Sequence, residues 1–102
     1  MPYVLPYADA LASLREVLSF YAGQPTFLPR SIELESAAQA AAHAALRNGV
    51  ALATLSADLG RLAAEALPNE PNAAVAAGRA MARWAARAFD EAGGVAMFVG
   101  AR

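Results

Sequence analysis

The sequence predicts an all-α fold: a helical bundle of three to four helices with a long central helix and an apolar, extended C-terminal tail. Three observations carry this. Proline and glycine cut the 102 residues into three blocks, apolar residues recur at helical spacing within each, and 29 residues are alanine, the strongest helix former. With 58% hydrophobic and 17% charged residues and no cysteine, residues 1–102 form a single domain with a modest core that needs no disulfide or metal staple.

The first helix is expected over about residues 7–22, entered through Pro6 and ended by Gly23. Tyr7, Ala10, Leu11, Leu14, Val17, Leu18 and Tyr21 share one face, and Asp9, Ser13 and Glu16 lie opposite. Phe20 falls among the polar residues, so it is either covered by a neighbouring loop or a candidate subunit contact. Pro25 and Pro29 keep the following connection out of a helix, with Phe27 and Leu28 expected to plug the end of the bundle.

Ser31 reads as an N-cap, with Glu33 and Glu35 in the first turn where the helix dipole favours acids. Asn48-Gly49 has the chemistry of a helix stop, which would divide residues 32–67 into two helices. The periodicity favours one. Leu34, Ala38, Ala41, Ala45, Asn48, Leu52, Leu55, Leu59, Leu62 and Ala66 step by alternating fours and threes straight through that point. A single helix over 32–67, kinked at most at Asn48-Gly49, would be about 50 Å long at 1.5 Å per residue. It would place Asn48 on the apolar seam, where a buried amide can fix register; a break would make Asn48 part of a C-cap.

A second stripe beside the seam contains only small residues: Ala38, Ala42, Ala45, Gly49, Ala53, Ser56, Gly60 and Ala63. Glycine inside a helix costs about 1 kcal/mol relative to alanine, so two of them ask for a reason. Close approach of another helix supplies one, and this stripe is the predicted helix-contact face of a homo-oligomer or of a complex with a protein partner.

Pro68 to Asn72 breaks the chain again, with Asn72 as the next N-cap. The third helix, about 73–92, turns Ala74, Ala77, Gly78, Met81, Ala85, Ala88 and Phe89 inward, with Trp84 at the edge. Gly93-Gly94 is expected to end it, leaving 93–102 as the extended apolar tail. Leu46 and Val50 make an apolar spot on the polar face, to be covered by Tyr3 to Leu5, by Val95 to Val99 or by a partner chain.

Composition excludes several chemistries. All eight cations are arginine, which removes Schiff-base chemistry and the lysine of a phosphate-binding loop. A net charge of −1 argues against general nucleic-acid binding. No basic, apolar leader opens the chain and no stretch can span a membrane, so a cytoplasmic location is expected. No carboxylate pairing, nucleophile elbow or metal-ligand spacing is present, so neither catalytic nor metal nor cofactor-binding residues are assigned and no enzyme activity is expected.

His43 is the single histidine. The stretch His43-Ala44-Ala45-Leu46-Arg47-Asn48-Gly49 resembles the phospho-accepting box of histidine kinases and histidine phosphotransfer domains, which place an exposed histidine on a long helix of a bundle. The resemblance covers about seven residues and implies phosphotransfer through His43. It departs from the family in Ala44, where kinases often carry an acid, and in Asn48, which separates the basic residue from the glycine. Arg79, Arg83 and Arg87 form a basic ridge at four-residue spacing, a second candidate site, for anions or nucleic acid, partly offset by Asp90 and Glu91. The leading expectation is a non-enzymatic interaction or scaffolding protein, or an accessory subunit.

Overall fold

The computed structural model describes residues 6–23 and 30–100, the last eight by backbone only. It is an all-α bundle of α1 (Tyr7–Phe20), α2 (Ile32–Arg47), α3 (Leu52–Ala66) and α4 (Pro71–Gly100). The turns at 48–51 and 67–70 reverse the chain, so α3 runs antiparallel to both α2 and α4. Tyr7 meets Asp58 and Arg15 meets Glu65, which makes α1 parallel to α3. Around the core, α2 packs between α1 and α4, and α3 between α4 and α1; α2 and α3 lie diagonally and meet little beyond their turn.

The inward faces follow the helical spacing. Among the described residues, Leu14, Leu18, Leu34, Leu55, Leu59 and Met81 are the largest fully buried side chains, with Ala38, Ala41, Ala42, Ala45, Ala63, Ala77 and Ala85 filling the narrow contacts between them. Ser31 caps α2, its Oγ accepting from the Leu34 amide at 3.1 Å. The described residues bury no polar or charged residue.

Residues 32–67 are two helices, not one. Gly49 takes φ +72, the left-handed conformation that an L side chain resists. Its amide donates to Leu46 O at 3.4 Å and the Val50 amide to Ala45 O at 2.7 Å, the paired bonds of a Schellman stop. Asn48 is accordingly an exposed C-cap residue rather than part of the seam, and its Nδ2 donates to Ala44 O at 2.6 Å. The apolar phase survives the break because both helices face one core, and the turn leaves the last inward residue of α2, Ala45, seven positions from Leu52, two helical turns. Periodicity reports which way residues face, and it is blind to a reversal that preserves that spacing.

The C-terminus also departs from the expectation. The helix expected to stop at Gly93-Gly94 and give way to an extended tail continues through both glycines to Gly100, with no proline after them to end it. At 1.5 Å per residue the thirty residues of α4 are about 45 Å long against about 24 Å for α2, which accounts for the 50 × 25 × 22 Å envelope. Its start also differs: Pro71 occupies the first helical position and Asn72, the expected cap, lies inside the first turn. The proposed plug at Phe27 and Leu28 and the cover at Tyr3 to Leu5 lie outside the described residues. Of the spot expected to be covered by Tyr3 to Leu5, Val95 to Val99 or a partner chain, Leu46 is exposed and Val50 half-buried against the core, and the side chains of 95–99 lie outside the described part of the structure.

Candidate functional site: the groove between α3 and α4

Breaking the central helix splits the small-residue stripe. Ala38, Ala42, Ala45 and Ala63 are fully buried within the chain, so they hold its own helices together and present nothing to a second subunit. Gly49 sits in the turn. Ala53 and Gly60 remain exposed and Ser56 half-buried. The last two now line a surface groove with residues of α4.

This groove, about 530 Å³, is bounded along α3 by Ser56, Gly60, Ala64 and the C-cap residue Leu67, and on α4 by Ala74, Val75, Gly78, Arg79 and Ala82, with Pro68 and Pro71 closing the end at the turn. Successive positions on α3 are four, four and three apart, so they stack along one edge of the helix. Two glycines set its shape. A Cβ on Gly78 would lie 3.4 Å from the Gly60 Cα, marking the close approach of the two backbones, whereas a Cβ on Gly60 would meet nothing within 4 Å and would stand in the groove. Val75, 53% exposed, forms an apolar wall, and Arg79 is the one charged lining residue.

Arg83 and Arg87 continue from Arg79 along the exposed side of α4. None of the three makes an ion pair or side-chain hydrogen bond among the described residues. His43 is exposed on α2, and Phe20 is 78% exposed with its ring edge-on to Tyr21 at 5.0 Å. The structure therefore leaves His43, Phe20 and the arginine ridge as separate features, and only Arg79 joins the groove.

The polar contacts of α1 with α3, and the Asp58–Arg61 pair within α3, form a different cluster. Tyr7 Oη donates to Asp58 Oδ2 at 2.7 Å, and Arg61 Nη2 donates to Asp58 Oδ1 at 2.7 Å. Burial, then the hydrogen bond and charge of Asp58, raise the Tyr7 phenol pKa above its ordinary value, with Arg61 opposing. Arg15 and Glu65 approach to 3.4 Å with both side chains exposed, a pair that adds little. These are tethers that set the position of α1.

The described residues contain no group of three or more His, Cys, Asp or Glu side chains able to hold a metal, and no helix long and apolar enough to cross a membrane. What the groove can do is exclude water from an apolar surface laid into it while Arg79 meets an anionic group at its edge. Sequence reasoning found Ser56, Gly60 and Arg79 but missed Ala64, Val75 and Ala82. The signal was present in the four-residue spacing of small residues on two helices, once these are paired as a hairpin. No known protein family matches the chain, and neither a curated protein nor a solved structure resembles it.

Proposed function

We propose that the chain is a non-enzymatic interaction protein that holds a helix of a protein partner in the α3–α4 groove. The observation that carries this reading is Gly60, a glycine inside a helix whose missing side chain leaves open space in an apolar groove rather than relieving a contact within the chain. Small residues let two helical backbones approach closely, and many weak contacts along the groove then add up. Arg79 at the rim favours a carboxylate on the incoming helix.

The test is a titration with a fluorescein-labelled, alanine-rich amphipathic peptide carrying glutamate along one edge, beside a lysine-edged counterpart. Binding of the glutamate peptide, weakened by salt and lost in Gly60→Leu, supports the reading. Absence of binding by either peptide ends it.

Arg79, Arg83 and Arg87, which have no ion-pair partner among the described residues, favour a second reading, contact with a polyanion. It predicts salt-sensitive binding to anionic vesicles or duplex DNA that Arg83→Glu with Arg87→Glu abolishes and Gly60→Leu leaves intact.

A further inference from the structure

We infer that this chain can form a second folded state, a dimer in which two copies exchange halves by straightening the turn at 48–51 into helix. The partner is a second copy, and the surface it fits is the inner face that α1–α2 and α3–α4 present to each other. The seven-residue step from Ala45 to Leu52 keeps both halves of the apolar seam on one side of a continuous helix over 32–66. The turn residues Asn48, Gly49, Val50 and Ala51 include no proline; Gly49 holds the one positive φ among the described residues, and Ala51 is extended at φ −70, ψ 151, so straightening the turn moves Gly49 out of the left-handed region and Ala51 from extended to helical backbone.

Packing makes the exchange complete. Because α2 and α3 lie diagonally, opening their turn separates few contacts between them. Each of the hairpin-like pairs α1–α2 and α3–α4 stays within one chain. The contacts that part, α2 with α4 and α1 with α3, including Tyr7 to Asp58 and Arg15 to Glu65, are remade with the same partners from the second copy. Two lobes with the same four-helix core result, related by a twofold axis, and the association closes.

The hinge sets the balance. Alanine at position 49 is strained in the left-handed turn and favoured in a helix, which shifts each hinge about thirtyfold to a hundredfold toward the straight form. A dimer contains two hinges, so its association constant rises about a thousandfold or more.

Size-exclusion chromatography with light scattering of the full chain reads the outcome. Gly49→Ala is expected at twice the 10.5 kDa monomer mass, and Gly49→Asn, which tolerates positive φ, at the monomer mass. Mixed refolding of Gly49→Ala/Arg15→Cys with Gly49→Ala/Glu65→Cys should then give a covalent dimer with a short bismaleimide, since the chain has no other cysteine. A folded Gly49→Ala that stays monomeric, equal dimerisation of the Ala and Asn variants, or a dimer lost in Gly60→Leu each overturns the proposal. If Gly49→Ala does not fold, the wild-type chain refolded from urea at its highest soluble concentration takes its place; monomer alone overturns the exchange, and a dimer that the same cysteine pair cross-links supports it.

Discussion

Gly60→Ala should stabilise the protein, an uncommon direction for a substitution on a helix that packs on its neighbour. Gly60 is the ninth residue of the fifteen in α3, far enough from either end for the full helix-interior propensity to apply. Glycine there costs about 0.8–1.0 kcal/mol relative to alanine. The added Cβ meets no heavy atom within 4 Å and glycine φ is not positive, so neither a clash nor backbone strain offsets the gain. For a domain of this size about 1 kcal/mol raises Tm by about 4–8 °C. Thermal unfolding followed by circular dichroism, with urea titration for the free energy, measures both. A loss of stability beyond about 0.5 kcal/mol would refute the reasoning, since it would mean that something already fills the groove. Stabilisation with weakened peptide binding would identify Gly60 as kept at the expense of the fold.

Two further substitutions test the local assignments. Ser31→Ala removes the Oγ that accepts from the Leu34 amide and should cost about 1 kcal/mol, read from the urea midpoint at unchanged slope. Tyr7→Phe removes a part-buried bond to a carboxylate and should cost about 1–2 kcal/mol near neutral pH. Its pH dependence has a definite sign. The folded phenol holds its proton at pH values where the unfolded phenol loses it, so the wild type loses stability as pH rises above about 10, and the slope there should be shallower in Tyr7→Phe.

The inward faces were legible because burial and helical spacing are the same fact seen twice: Ala10, Leu14 and Leu18 on α1, Leu55, Leu59 and Leu62 on α3, and Ala77, Met81 and Ala85 on α4 are all buried as their positions require. Chain reversal was not legible from phase, since Ala45 and Leu52 satisfy a rod and a hairpin equally. Its signature was conformational, carried by one asparagine and one glycine. The glycines at 93 and 94 looked like a similar signal, yet they lie within the α4 helix; glycine permits the left-handed cap without imposing it. The groove was half legible. Ser56 and Gly60 stood out by size, but Val75 and Ala82 acquire meaning only when α4 folds back along α3, a long-range fact that no local pattern contains.

The alanine-built inner face of α2 has a consequence for how the chain can vary. Apart from Leu34, its buried positions are Ala38, Ala41, Ala42, Ala44 and Ala45, so the distance to neighbouring helices there is set by single methyl groups. Shortening such a side chain removes little, while each added methylene must push a whole helix outward, at about 1–3 kcal/mol. On α1 and α3 the leucines reverse that bias, with truncation to alanine costing about 2–5 kcal/mol. Neighbouring helices of one core therefore tolerate opposite kinds of change: α2 sets an upper limit on side-chain volume, and α1 and α3 a lower one.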